Sequence, residues 1–354
     1  MIKILRFHRH NSKLSIAILF LKKKYYIKLN PIIKESKKDF YGYNILKHYF
    51  KLPKRIIFFK LSFITISVYE YWGATDHNEG LLVDIISGDN KEKIQDFMNE
   101  MTKQLNSVFL KTYKVVPSLQ VEKKLFYNRV LKKNSRLKYF YKMSKNDTFI
   151  NLEQQEFIIN NVKYKLEFLK IIDYLIYYYS STQFVDSVIS QGDLTDVNIG
   201  IPFTFFDYDT AGRNSLFGEF STFLIYTAYF GGYLIPKYKE SIFKYHTNVI
   251  DKLKVCSPQI TYYKTSENVV IIKEKNSISV NRKLVIKKFI NNTIKPLCAN
   301  LEIDNIEGKL NPYILIRLLT IFNIFKLEQK DTLFLISKLI EFNKSNFKLE
   351  SLYL

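Results

Sequence analysis

The hydrophobic period of this chain changes near Gly88-Asp89-Asn90, and no other feature limits its fold as strongly. Before that point, β-branched and aromatic residues run in short stretches. Ser15–Leu21 and Tyr25–Leu29, joined by Lys22-Lys23-Lys24, predict a β-hairpin. Asn30-Pro31 stops its second strand, because proline cannot donate to a strand ladder. Residues 36–50 place Phe40, Tyr43, Leu46, Tyr49 and Phe50 at helical spacing, and Pro53 closes that helix. Arg55–Tyr71 is strand-like throughout, and Gly80–Ile86 reads as a further short strand. The expected order before residue 87 is therefore β-β-α-β-β.

Beyond that point the period becomes helical. Lys91–Leu110 carries Ile94, Phe97, Met98, Met101, Leu105 and Phe109 on one face. Further helices are predicted over Val162–Tyr179, from Asn311-Pro312 as cap and first residue, and over Asp331–Phe342. The expected class is α+β in two lobes: a small antiparallel β-rich lobe at 1–86 and a larger helical lobe at 87–354.

Charge and cysteine content narrow the chemistry. The 354 residues hold 54 Lys and Arg against 33 Asp and Glu, a formal charge of +21. High Lys, Asn, Ile, Tyr and Phe usage, as in AT-rich genomes, accounts for much of this, so no specific nucleic-acid partner is expected. The excess does weaken any function that needs a polycationic substrate. The two cysteines, Cys256 and Cys298, exclude a disulfide framework and a four-cysteine zinc site. Val121–Lys145 is a basic run interleaved with Phe126, Tyr127, Tyr139, Phe140 and Tyr141. It reads as a solvated helix face with its aromatics turned inward, with phosphate or peripheral membrane contact as the alternative. Phe217–Pro236 has the length of a membrane span, but it contains Glu219 and Gly231-Gly232 and reads as a buried core helix. The apolar run Ser15–Leu21 is too short for a secretory leader. A soluble, cytoplasmic protein is expected.

The chemistry concentrates in SQGDLTDVNIGIPFTFFDYDTAGR, Ser190 to Arg213. The short strand Val188-Ile189 leads into a loop carrying Asp193 and Asn198; a second apolar run, Ile199–Phe206, leads to Asp207. Strand ends thus project an Asp, an Asn and a second Asp from neighbouring loops. Phosphoryl transfer uses such groups. Hard oxygen ligands hold Mg²⁺ and the nucleotide phosphates, while a separate carboxylate orients an incoming hydroxyl.

GDLTDVNIG followed by FFDYDTAGR resembles the catalytic and metal loops of the aminoglycoside phosphotransferase and choline kinase family, which has a protein-kinase-like fold. The resemblance implies ATP and Mg²⁺ as cofactors, Asp193 as catalytic base, and Asn198 and Asp207 as Mg²⁺ ligands. It places the phosphate-contacting lysine on the strand Tyr25–Leu29, at Lys28. It implies that Leu81–Ile86 receives adenine through backbone groups. The family's histidine before Gly-Asp is Gln191 here, and the helix at 36–50 lacks the glutamate that would pair with Lys28; Glu35 and Asp39 lie near its start. Asp209 has two readings, support for a second metal or a cap for the turn at Gly212. The expected reaction is phosphorylation of a hydroxyl on a small molecule, sugar or glycan. Residues 237–354 hold 20 Lys and Arg against 11 Asp and Glu, a net of +9, which favours a neutral or anionic acceptor. Two other readings use the same residues: a pseudokinase-like nucleotide binder, and a glycosyltransferase built on Asp207-Tyr208-Asp209.

Overall fold

The structure, a computed structural model, describes residues 2–10, 13–30, 33–61, 63–72, 80–141, 152–153, 155–240, 258–264, 268–275, 278–343 and 347–353. The predicted hairpin is present as β2 (Lys13–Phe20) and β3 (Lys23–Asn30), turned by Leu21 and Lys22 in positive φ. An additional strand precedes it, β1 (Ile2–His10), paired antiparallel to β2. A register shift between Ile4 and Arg6 breaks the alternation that would have marked β1 in the sequence. Helix α1 (Ile33–Leu46) follows. The long strand-like stretch Arg55–Tyr71 is in fact a hairpin, β4 (Arg55–Lys60) and β5 (Thr65–Glu70). The sheet order is β1-β2-β3-β5-β4, antiparallel throughout.

Register sets the direction of Lys28. It pairs with Ser67 on β5, and paired residues share a face of a sheet. Thr65, Ser67 and Tyr69 are the buried residues of β5, so Lys28 is carried on the inward face.

Gly80–Ile86 is not a strand. Leu81 makes one bridge to Gly200, and Leu82–Ile86 forms a buried helix, α2, packed against α3 (Lys91–Thr112). The β-branched run loses to local capping: the Asp84 carboxylate accepts from the amides of Gly80 and Leu81 at 3.1 and 2.9 Å. Helix α3 buries the predicted face, with Asn90 as its cap.

One short sheet and a hairpin carry the loops of interest. β6 (Lys114–Pro117) pairs with β9 (Phe184–Ser190), which pairs in turn with β12 (Gly212–Ser215). Between β9 and β12 lies the tight hairpin of β10 (Ile199–Gly200) and β11 (Thr204–Phe205). A four-stranded sheet was not anticipated. β7 (Glu156–Ile159) and β8 (Val162–Lys165) form a hairpin on Asn160-Asn161, and β14 (Val269–Lys275) adds parallel to β7 beside β13 (Gln259–Lys264). The helix predicted over 162–179 therefore begins only at Phe168 and ends at Ser181.

The core of the helical lobe is Leu216–Ile225, continued as a π-helix over Tyr226–Leu234 and a last turn at Ile235–Tyr238. Nearly all of it is buried, and among the described residues no helix is long and apolar enough to cross a membrane. Within the loop that follows β9, Asp196 forms a fully buried ion pair with Arg282 at 2.9 Å. Helix Ile306–Thr320 packs against this core. It starts at Asn305, whose side chain accepts from the Gly308 amide, so Asn311 is not its cap and Pro312 lies inside it. The last predicted helix is present at Gln329–Phe342.

Candidate active site

Gln191 organises the loops. Its side-chain amide donates to the carbonyls of Phe206 and Asp207 at 3.0 and 2.6 Å, and its oxygen accepts from the Asp193 amide at 2.9 Å. One neutral side chain thus ties the Asp193 loop to the Asp207 loop. Gly192 is required between them. Its φ is +92°, and a Cβ there would meet the Thr210 carbonyl at 2.3 Å.

Asn198 closes the same unit. Its side-chain amide donates to the Asp193 carbonyl at 3.0 Å, and its own carbonyl accepts from Phe206 at 2.9 Å. The Asn198 amide nitrogen is therefore committed to backbone, and its side-chain oxygen is the end that suits a cation. Asp207 follows in positive φ, with a partly exposed carboxylate.

Lys28 reaches this unit from the sheet. Its ammonium lies 3.2 Å from Asp39 Oδ1 and 3.7 Å from Asp207 Oδ1. Burial opposes its charge, but Asp39 and then Asp207 outweigh burial and raise the ammonium well above its ordinary range. Asp39 is the partner that the sequence left open; the side chain of Glu35 lies outside the described residues. The Asp39 carboxylate also accepts from the Tyr208 amide at 3.2 Å and from the Tyr69 hydroxyl at 3.4 Å. A carboxylate one methylene shorter than glutamate suffices because α1 lies close. A Cβ on Gly42 would fall 2.0 Å from the Tyr208 carbonyl, so only glycine permits this approach.

Asp193 projects from the opposite side, with Arg317 Nη2 at 3.4 Å from one carboxylate oxygen. Arg317 was passed over in the sequence, although a charged residue among Leu315, Ile316, Leu318 and Leu319 is itself a signal. Beneath the loop, Glu219 is buried and accepts from the Gly192 amide at 3.4 Å; burial pushes its carboxyl up to about 8.

Two expectations are corrected. Leu81–Ile86 does not offer a free backbone edge to adenine, because the Gly80 and Leu81 amides donate to Asp84 and the Val83 amide to the Asp196 carbonyl at 3.1 Å. The structure gives Asp209 a cation as partner. Asp209 is buried and paired with Lys124 at 2.5 Å, so the two carboxylates of Asp207-Tyr208-Asp209 serve different partners. Lys124 comes from the basic run, which is not one solvated helix. It contains short helices at Tyr127–Val130 and Arg136–Phe140, and Arg129 is buried. Lys142 and Lys145 lie outside the described residues.

Among the described residues, no group of three or more His, Cys, Asp and Glu side chains is placed to hold a metal. An Asn and an Asp, completed by phosphate oxygens and water, remain a donor set that fits Mg²⁺.

No family model matches the chain, and no curated protein does. Solved structures similar to it include a thermostable mutant of aminoglycoside phosphotransferase APH(4)-Ia in apo form, with a TM-score of 0.49 and 9% identity over 96% of this chain and 92% of that one. A microcompartment-associated aminopropanol kinase has a TM-score of 0.43 and 9% identity over 95% and 88%. An ethanolamine kinase of Plasmodium vivax has 0.44 and 12% over 99% and 80%. The chain joins an antiparallel five-stranded sheet to a mostly helical remainder that carries the loops of Asp193 and Asp207, the α+β arrangement expected from the sequence.

Proposed function

We propose that the chain is an ATP-dependent phosphotransferase acting on a hydroxyl of a small molecule. The observation that supports this most is the meeting of Lys28, Asp39 and Asp207 with the loop that Gln191 fixes beside Asp193. Lys28, held charged and in place by Asp39, contacts the α- and β-phosphates of ATP. Asn198 and Asp207 would hold Mg²⁺, which when bound neutralises phosphate charge. Asp193 accepts the proton of the acceptor hydroxyl as its oxygen bonds to the γ-phosphorus. The bond from that phosphorus to the β–γ bridging oxygen breaks, and ADP leaves with the electron pair. Arg317 grips one oxygen of Asp193 and leaves the other to face the acceptor. An ATP-consuming reaction and the free thiol of Cys298 suit the cytoplasm.

The test is Asp193→Asn. Transfer to the acceptor should fall by at least ~1,000-fold, while thermal stabilisation by Mg²⁺ and AMP-PNP persists. Transfer at the parental rate would remove Asp193 as the base. A parent that binds Mg²⁺-ATP without acceptor-dependent ADP release would instead be a nucleotide-binding pseudoenzyme.

A further inference from the structure

The surroundings of Asp193 hold an excess of positive charge that the chemistry above does not use. Arg129 is 9% exposed and donates through Nη1 to the Thr320 hydroxyl at 3.1 Å. Arg136 donates through Nη1 to the Thr320 carbonyl at 3.2 Å. Arg317, 3% exposed, lies one turn before Thr320 on the same helix and touches Asp193. Its Nε is buried with no hydrogen-bond partner among the described residues. The Lys239 ammonium sits 5.0 Å from the centroid of the Phe322 ring, just beyond Thr320. Three guanidinium groups and an ammonium therefore gather at the C-terminal end of one helix, beside the Asp193 carboxylate among the described residues.

These groups oppose one another. Burial lowers Arg129 first, and Arg317 and Arg136 lower it further, with Asp193 the carboxylate that resists. Lys239 is lowered by burial and then by Arg136, Arg129 and Arg317. Glu219, the other carboxyl nearby, is mostly protonated at neutral pH because of its burial. Holding Thr320 in place needs one hydrogen-bond donor, not this number of cations. Partly buried like charges destabilise a fold unless an anion compensates them. Guanidinium forks match phosphate and carboxylate oxygens.

We propose that Arg129, Arg136, Arg317 and Lys239 form the acceptor site, and that the acceptor is a hydroxyl compound carrying its own phosphate or carboxylate. This rests on the phosphotransferase reading, since it is Asp193 as base that puts the acceptor here. A cationic amino alcohol or aminoglycoside is repelled from the same place.

The experiment titrates the full chain, saturated with Mg²⁺ and AMP-PNP so that the nucleotide phosphate site is filled. Calorimetry compares glycerol 3-phosphate with glycerol, and glucuronate with glucose. At least one charged member should bind tenfold or more tightly than its neutral partner, and the pair that shows it identifies phosphate or carboxylate as the recognised group. Arg136→Gln and Lys239→Gln, at sites that are not fully buried, should each weaken that binding by about 5- to 30-fold, with Arg136→Lys recovering most of it. Equal affinities within both pairs, no detectable binding of either charged compound, or binding indifferent to both variants would overturn the acceptor assignment. Failure to bind AMP-PNP would overturn the phosphotransferase reading instead.

Discussion

The surroundings of Lys28, on the sheet side, and of Asp193, on the helical side, are built with opposite charge logic. On the sheet side, one cation, Lys28, faces two carboxylates, Asp39 and Asp207. On the helical side, one carboxylate, Asp193, faces Arg317, with Arg129 and Arg136 on the same helix end. The first arrangement has negative charge left over and suits a site completed by a divalent cation. The second has positive charge left over and suits a site completed by an anion. In the proposed reaction, phosphate and base would be held in these two different charge environments.

The largest effect expected from breaking this comparison is at Lys28. Lys28→Met removes the cation that faces Asp39 and Asp207 and leaves the Asp39 carboxylate buried with the hydrogen bonds from Tyr208 and Tyr69. Stranding one partner of a buried pair costs about 3–5 kcal/mol. Nucleotide-dependent turnover should fall by roughly 1,000-fold, and Tm should drop as well. By contrast, Arg136→Gln on the helical side should leave the AMP-PNP shift in place. Equal loss of nucleotide binding in both variants would show that the two sides are not separate.

A smaller effect is expected from Asp39→Glu, which restores the residue expected from the family resemblance. Asp39 is 5% exposed, and α1 already touches the Tyr208 backbone through Gly42. The extra methylene has no space, and overpacking of this kind costs about 1–3 kcal/mol. Turnover should fall by roughly tenfold rather than rise. A gain in activity would mean that α1 moves freely and that Gly42 does not set its distance.

Asp193, Asn198 and Asp207 could be read from the sequence because they lie on one local strand–loop–hairpin unit, where spacing alone fixes neighbourhood. Lys28 was named from the resemblance, on the strand Tyr25–Leu29. Its partner was not, because the reach of Asp39 depends on how near α1 approaches Tyr208, which is a tertiary distance. Leu81–Ile86 misled because its β-branched residues favour a strand, while Asp84 and the Asp196 carbonyl, one local and one distant, take its amides. The hairpin at β7 and β8 did have a local signal: Asn160 and Asn161 both adopt positive φ, as a two-residue hairpin turn requires. The parallel pairing of β14 with β7 had none, since it joins segments far apart in the chain. The cationic cluster was hidden in the same way. Arg129 and Arg136 belong to a run that reads as solvated, and only the fold carries them to Thr320.

The subtlest test concerns Glu219, which sits under Gly192 near both Asp193 and Arg317. While it is protonated, the helical side keeps its full positive excess. Burial holds its folded-state pKa at about 8, against an ordinary glutamate value when unfolded. Between those values the folded chain binds a proton that the unfolded chain has released. Stability from this group is therefore complete at acidic pH, declines as pH rises towards 8, and changes little beyond it. Glu219→Gln keeps the shape and cannot ionise. Thermal melts from pH 5.5 to 8.5 should show the parent losing a few degrees more than the variant. Parallel curves would mean that Glu219 is ionised throughout, which would cancel one of the charges that set the two sides apart.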